Sequence, residues 1–126
     1  MKNVAILGFG CAGYHCAMSL RSEGFEGDIH VFSDTDLPPY NPMLTTYYAG
    51  RRLPWKGLFP FGSLSSIASS LRLTVHTNSP VARLDCKERA VVLANGARYA
   101  FDNALISTGA KVFVPPIPDL PKKNIY

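Results

Sequence analysis

Residues 4–13 of the chain read VAILGFGCAG and contain its strongest local fold signal. Its first four residues form a short apolar run, which is typical of a strand buried on both faces. Glycines follow at positions 8, 10 and 13 in the spacing G-x-G-x-x-G. From Ala12 to Glu23 the apolar residues recur with the period of a helix, and Gly24 provides a stop signal. The segment therefore predicts a strand, a glycine-rich turn and a helix.

Each glycine of the motif has a physical role in a site for a diphosphate. Gly8 permits a tight turn, Gly10 allows a pyrophosphate to approach the backbone, and Gly13 allows the helix to pack closely against the strand. The free N–H groups and the positive end of the helix dipole then face the phosphates. Three glycines in six residues occur often by chance. The motif indicates a diphosphate site here because it lies between a predicted strand and a predicted helix.

An acidic residue ends the next predicted strand. Residues Asp28–Ser33 predict that strand and complete a strand–helix–strand unit. Asp34 follows about twenty residues after Gly13, where a carboxylate can accept both hydroxyls of an adenosine ribose and repels a 2′-phosphate. Ser33 would add a smaller contact. Asp34 could instead simply begin a turn, so its role as a ribose ligand stays open. Both FAD and NAD use such a strand–helix–strand unit, so these residues do not distinguish between the two cofactors.

The remaining segments predict an α/β fold. Residues 34–61 combine five prolines with several aromatic residues, which predicts a long loop that covers something, with room for two helical turns at Met43–Ala49. A short helix, a third strand, three meander strands and a further buried strand follow at Ser63–Leu71, Leu73–His76, Val81–Asp85, Ala90–Ala94, Arg98–Phe101 and Asn103–Ser107. The prediction is a Rossmann-like parallel sheet (a βαβ unit plus a third strand) with an antiparallel three-stranded meander.

Length and composition limit the function classes. A chain of 126 residues with 47% apolar and 17% charged residues is typical of one ordinary folded domain. No apolar run approaches the roughly 18–20 residues that a membrane span needs, and the run at 4–7 is too short for a secretion signal. The net charge of +4 is scattered without a basic stripe, so neither a membrane nor nucleic acid is an expected partner.

The cysteines and histidines predict no metal site. Three cysteines without a C-x-x-C spacing favour a reducing compartment, and we expect a cytoplasmic protein. His15, His30 and His76 lie far apart in the sequence, without carboxylates at a spacing typical of a catalytic or metal site. Structural roles are therefore favoured for them over acid–base catalysis or metal binding.

Five segments of the chain match one family in that family's order: GFGCAG at 8–13, DTDLPPYNPMLTTYYAG at 34–50, VARLD at 81–85, VVLANG at 91–96 and FDNALISTGA at 101–110. A plain NAD module would continue with further βαβ crossovers, whereas this chain continues with a meander. The chain therefore resembles the first segment of the FAD domain of the pyridine nucleotide–disulfide oxidoreductases. It is most similar to their ferredoxin/rubredoxin reductase and nitrite reductase branch, over residues 3 to about 118.

The resemblance implies a cofactor, a reaction and a set of site residues. NAD(P)H gives a hydride to FAD, which passes electrons to an acceptor. The resemblance also assigns parts of FAD to individual residues. By this resemblance the pyrophosphate would be bound by Gly8, Phe9, Gly10, Cys11, Ala12 and Gly13. Asp34, with Ser33, would bind the adenosine ribose, and the Val81 backbone would lie beside the adenine. Thr108 and Gly109 would close over the phosphate region. Val81 could instead be an ordinary core residue, and Thr108-Gly109 an ordinary turn after a strand.

Two local departures from the family bear on the flavin. Members with a redox disulfide carry C-x-x-x-x-C after the acidic residue, and this chain has no cysteine there, which disfavours a dithiol mechanism. The branch usually has an arginine and a lysine where this chain reads NPMLT, residues 41–45. Thr45 stands at the lysine position and offers the flavin a hydroxyl in place of a cation. No catalytic residue is assigned.

Length is the larger departure, because family members are three or four times longer. We expect residues 1–112 to form a partial FAD-binding domain and residues 113–126 a proline-rich linker toward an NAD(P) domain that this sequence does not contain. The chain should not turn over alone, and a missing NAD(P)-binding portion or a second subunit would complete it. Uncovered apolar surface would favour self-association. The alternatives are a non-catalytic module or assembly subunit that binds an adenine dinucleotide (FAD or NAD), and a fragment of an NAD-only dehydrogenase.

Overall fold

The computed structural model of the chain describes residues 2–111, 113 and 115–117. This described part contains seven strands, three helices and two short 3₁₀ turns. Their order is β1 Asn3–Leu7, α1 Cys11–Ser22, β2 Asp28–Phe32, the 3₁₀ turn Pro42–Leu44, α2 Thr45–Ala49, the 3₁₀ turn Trp55–Leu58, α3 Leu64–Ser70, β3 Leu73–His76, β4 Val81–Asp85, β5 Ala90–Leu93, β6 Arg98–Ala100 and β7 Asn103–Ile106. The predicted α/β class is confirmed, and the strand boundaries agree to within one residue.

The strands form two separate sheets. Strands β3, β2, β1 and β7 make a parallel sheet in that order, and β4, β5 and β6 make the antiparallel meander. In the parallel sheet Leu7 lies beside Phe32 on one side and beside Ile106 on the other. The carboxyl ends of β1, β2 and β7 therefore reach the same edge of the sheet, and the loops that follow them meet there.

Each face of the parallel sheet is covered by a different layer. Val4, Ile6, Ile29 and Val31 pack with α1 and α3 on one face. Ala5, Leu7 and Phe32 pack against Val91 and Leu93 of the meander on the other. Because successive side chains of a strand point to opposite faces, one apolar run supplies both layers. This accounts for the continuous VAIL run at 4–7.

The predicted buried character of the last strand is wrong. β7 lies at the edge of the parallel sheet, and Ile106 is 65% exposed. An apolar run predicts burial on both faces only when further elements flank the strand, and among the described residues nothing pairs with the outer edge of β7. Self-association through such surface stays a prediction.

The sequence also predicts a cytoplasmic location, a C-terminal linker and the absence of a membrane span. No helix in the described part of the chain has the length and hydropathy to cross a membrane. The cytoplasmic location stays a prediction. The proposed linker at 113–126 lies largely outside the described residues.

Arg21, near the end of α1, joins three segments through its guanidinium group. Its nitrogens donate to four backbone carbonyls, those of Leu71 at 2.8 Å, Arg72 at 2.9 Å, Phe25 at 2.5 Å and Gly27 at 2.9 Å. The planar group has five N–H donors in a fixed arrangement, which suits this set of acceptors. It fixes the end of α1 against the turns that lead into β2 and β3.

Replacing Arg21 by lysine keeps the charge and removes the planar donor set. We expect Arg21→Lys to lower the free energy of unfolding in urea by about 2 kcal/mol, since carbonyls that Arg21 satisfies lose a charged donor. Glu26→Gln is the control, because it removes only the exposed ion pair with Arg72 and should change the stability little. Equal losses in the two variants would contradict the role given to Arg21.

Candidate functional site

The turn after β1 is fixed by backbone contacts with the neighbouring strands. Gly8 has a φ of +97°, and a Cβ there would lie 2.3 Å from the Ser107 carbonyl oxygen, so only glycine fits. The Gly8 N–H donates to the Phe32 carbonyl at 2.8 Å. The Ser107 hydroxyl lies 3.1 Å from the Leu7 carbonyl and 2.9 Å from the Gly8 carbonyl, and donates to them. The turn is thereby held between β2 and β7.

The other two glycines of the motif have opposite surroundings. A Cβ on Gly13 would lie 2.3 Å from the Gly8 carbonyl oxygen, so α1 can pack this closely only through glycine. A Cβ on Gly10 would have no atom within 4 Å. Gly10 therefore faces open space beside the turn.

Open space at Gly10 lies next to backbone donors without helical partners. The first helical hydrogen bond runs from the Tyr14 N–H to the Gly10 carbonyl, so the N–H groups of Cys11, Ala12 and Gly13 precede it. Gly10 caps the helix without a side-chain hydrogen bond, and the first turn carries no acidic residue. These donors and the positive helix end suit an anion such as a diphosphate.

A cavity of about 210 Å³ joins this turn to the end of β2. The residues that line it are Gly8, Phe32, Asp34, Ser79, Pro80, Val81, Thr108 and Lys111. Four of the predicted site residues are therefore brought together. The volume is below the roughly 300–1,000 Å³ of sites that enclose a whole small ligand, so the cavity can hold only part of a dinucleotide.

Asp34 reaches this cavity because the backbone on both sides of it is held. The Ser33 N–H donates to the His76 carbonyl at 2.9 Å, and the Ser33 carbonyl accepts from the Ser79 N–H at 2.8 Å. The Ser33 side chain is buried, and its hydroxyl accepts from the Thr35 N–H at 3.3 Å. Ser33 thus stabilises the turn that presents Asp34, and its contact with a ribose stays a prediction.

Eight predicted site residues do not line the cavity: Phe9, Gly10, Cys11, Ala12, Gly13, Ser33, Thr45 and Gly109. The Phe9 side chain packs in the core beneath α1, so only its backbone is available to a ligand. The Thr45 hydroxyl donates to the Pro42 carbonyl at 2.7 Å and so closes its own turn. Gly109 has a φ of +68° and follows Thr108 in an exposed turn. The flavin contact of Thr45 stays a prediction.

Sequence reasoning missed four residues of this cavity, Phe32, Ser79, Pro80 and Lys111. Lys111 brings a cation to the cavity that Asp34 also lines, and Ser79 and Pro80 form another part of the wall. Lys111 follows β7, and the carboxyl end of β7 lies beside the carboxyl end of β1, where the glycine turn begins. The position of Lys111 after a strand of the parallel sheet was a signal that could have marked it as a site residue. Using this signal requires the order of the strands in the sheet, which the sequence alone does not reveal.

Known proteins resemble this chain in sequence and in fold. A family model described as pyridine nucleotide-disulphide oxidoreductase matches residues 2–126. The chain belongs to this family. The predicted resemblance is thereby confirmed at the level of the family and of its FAD-dependent oxidoreductase members.

Several curated relatives of the chain are named as reductases of ferredoxin, rubredoxin or rhodocoxin. One is the ferredoxin–NAD(+) reductase component of a biphenyl dioxygenase system from Paraburkholderia xenovorans, 31% identical over 113 residues that make up 88% of this chain. Another is rhodocoxin reductase from Rhodococcus erythropolis, 30% identical over 117 residues, or 92% of this chain. The chain spans 27% of the length of each of these two relatives.

Solved structures of the family share the fold. Putidaredoxin reductase, in its covalent complex with putidaredoxin, superposes with a TM-score of 0.83 at 24% identity over 94% of this chain and 28% of that one. A ferredoxin reductase from Rhodopseudomonas palustris gives a TM-score of 0.80 at 25% identity over 94% of this chain and 29% of that one. The Rossmann-like fold predicted from the sequence is confirmed.

The contrast between Gly13 and Gly10 gives a stability prediction. Gly13→Ala should lower the free energy of unfolding by about 3 kcal/mol, because the added methyl group meets the Gly8 carbonyl and α1 must shift. Gly10→Ala should cost less than about 1 kcal/mol, because its methyl group points into open space. Urea unfolding of both variants measures the difference, and a Gly13→Ala chain as stable as Gly10→Ala would rule out the close packing.

Proposed function

We propose that this chain is the portion of a flavin-dependent NAD(P)H oxidoreductase that holds the ADP half of FAD. The observation that carries the proposal is the cavity that joins the glycine turn to Asp34. Gly8 of the turn and the exposed Asp34 line this cavity, and the open space at Gly10 and the free N–H groups that follow it belong to the same turn. A diphosphate and its neighbouring ribose need these two features side by side.

Each part of the nucleotide has a matching group in the chain. The N–H groups of Cys11 and Ala12 would bind the pyrophosphate, with Thr108 and Gly109 beside it. The Asp34 carboxylate would accept the ribose hydroxyls and exclude a 2′-phosphate. Phe32 and Val81 offer apolar surface for the adenine, and Lys111 adds a positive charge to the phosphate end.

The full reaction is part of the same proposal. The chemistry that FAD supplies when bound is acceptance of a hydride from NAD(P)H and transfer of electrons to an acceptor. The acceptor we propose is a small electron carrier of the kind that the relatives' names record, such as a ferredoxin or a rubredoxin. The sequence has one G-x-G-x-x-G motif, so NAD(P)H binding would use residues outside these 126. We do not expect turnover by these residues alone.

A second candidate function is a non-catalytic module that binds an adenine dinucleotide. The size of the cavity supports this second function, because a volume of about 210 Å³ encloses only an adenosine-sized portion, which FAD and NAD share. The position of Thr45 also leaves the flavin end without an identified contact. The two candidates differ in whether the flavin half adds affinity.

The cysteines provide a test within the chain. Cys11 is exposed in the first turn of α1, and Cys86 is exposed in the turn between β4 and β5, away from the cavity. Burial raises the pKa of the Cys16 thiol, so Cys16 should react slowly. FAD at saturation should slow alkylation of Cys11 at least tenfold and leave Cys86 unchanged, as measured by mass spectrometry of digested protein. Equal rates at Cys11 with and without FAD would contradict the proposal.

Matched acid variants sharpen this experiment. Asp34→Asn should raise the FAD concentration needed for protection by about ten- to a hundredfold, since a charged hydrogen bond to the ribose is lost. Asp36→Asn removes an exposed carboxylate two residues away and should leave that concentration unchanged. Stronger protection by FAD than by NAD favours the flavin-binding function, and equal protection by both favours the second candidate.

A further inference from the structure

Two histidines 46 positions apart in the sequence lie in contact beside this cavity. His30 is in β2 and His76 ends β3, and the His30 Nδ1 atom lies 3.0 Å from the His76 Nε2 atom. Their rings are nearly parallel, with 5.4 Å between centroids and 16° between planes. At this distance one nitrogen must carry a proton and the other must accept it.

The pair is connected to the nucleotide cavity by a ring and by the backbone. The His76 ring stacks on Phe32 with 4.6 Å between centroids and 7° between planes, and Phe32 lines the cavity. The His76 carbonyl accepts the Ser33 N–H, immediately before Asp34. Tyr99 of β6 packs 4.6 Å from His76 and 5.1 Å from Phe32, again between centroids.

The surroundings of the pair contain little that would stabilise added positive charge. On β2, Asp28 stands two positions before His30 on the same face, and Ala5 of β1 and Thr74 of β3 lie beside His30. From the meander, Tyr99 contacts the pair. The charged side chains of β4 and β6 form ion pairs with one another, and they are Arg83, Asp85 and Arg98. Among the described residues no carboxylate forms an ion pair with either histidine.

Protonation of both rings removes the contact. One added proton still leaves a donor facing an acceptor, whereas two place N–H donors and positive charges against each other at 3.0 Å. Burial, and after it the charge of His30, hold the pKa of His76 below its usual 6.5. The native contact therefore requires that at most one ring is charged.

We propose that the His30–His76 pair is a pH-sensitive contact that keeps the Phe32 and Asp34 side of the nucleotide cavity in its binding shape and releases it when both rings are protonated. The stability effect depends only on the contact between the strands. The effect on nucleotide affinity rests on the function proposed above.

The direction of the pH dependence follows from the neutral state of His76. Because its pKa is lower in the folded chain than in the unfolded chain, the unfolded chain takes up the proton first. The contribution to stability is complete above pH 6.5 and is lost as the pH falls through the pKa of the folded state. Acidification should also weaken nucleotide binding.

The first part of the test measures the chain without nucleotide. Urea unfolding at pH 7.5 and 5.5 should give a folding equilibrium constant that falls several-fold more in the wild type than in His76→Gln, which keeps a polar partner for His30 and cannot titrate. His15→Gln is the matched control, since His15 is exposed on α1, and it should keep the wild-type dependence. If His76→Gln does not fold, His76→Phe retains the ring on Phe32 and serves the same purpose. NMR titration of the wild-type imidazole protons gives a reading without any variant.

The second part measures the affinity for ADP-ribose, which contains the adenosine and the diphosphate and has no phosphate group that titrates between pH 5.5 and 7.5. The wild type and His15→Gln should bind it several-fold more weakly at pH 5.5 than at pH 7.5. The affinity of His76→Gln should be nearly independent of pH over this range.

The outcomes separate the two proposals. A pH dependence of stability that persists in His76→Gln and His76→Phe, or a wild-type His76 that titrates at its usual pKa, would overturn the pH-sensitive contact. A stability effect of the pair together with pH-independent ADP-ribose binding would overturn its coupling to the cavity. No ADP-ribose binding at any pH would overturn the proposed function and the coupling with it, while the stability result still decides the role of the pair.

Discussion

The close approach of Gly13 to the Gly8 carbonyl is the contact on which the rest of the structure depends. A Cβ on Gly13 would lie 2.3 Å from the Gly8 carbonyl oxygen, so α1 can begin this close to β1 only with glycine at position 13. A Cβ on Gly8 would lie 2.3 Å from the Ser107 carbonyl oxygen, so the turn can approach the end of β7 only with glycine at position 8. The Ser107 hydroxyl, bonded to the Leu7 and Gly8 carbonyls, ties β7 to the same turn. The result is a helix whose first N–H groups face open space at the edge of the sheet, and this edge is where a diphosphate can approach.

The parallel sheet brings residues from distant parts of the chain to that edge. β1, β2 and β7 end side by side, so the glycine turn, Asp34 and Lys111 line one cavity although they come from opposite ends of the sequence. The meander closes another side with Val81, and its Tyr99 packs against the His30–His76 pair beneath Phe32. Family membership and the geometry of the cavity both support the proposed function.

Most of the fold could be predicted because its signals are local. The glycine spacing, the VAIL run and Asn95-Gly96 each specify their own segment, and the strands lie where these signals put them. The exposure of β7 could not be predicted, since an apolar run has the same pattern at a sheet edge as in the centre. The contact between His30 and His76 could not be predicted either, because it depends on the register that sets Phe32 beside His76. The contribution of Lys111 to the cavity wall depends on the order of the strands in the sheet. Thr45 was assigned through family resemblance; its hydroxyl bonds within its own turn, and its contact with a flavin stays a prediction.

Backbone N–H groups at the start of α1 should bind a diphosphate, and the amide chemical shifts of ¹⁵N-labelled chain during titration with ADP-ribose report on each of them. The amides of Cys11, Ala12 and Gly13 should shift most and saturate together, while the amide of Gly96 in the distant β5–β6 hairpin stays in place. Saturable binding that leaves those three amides unshifted, or no binding at all, would rule out a diphosphate site at this turn.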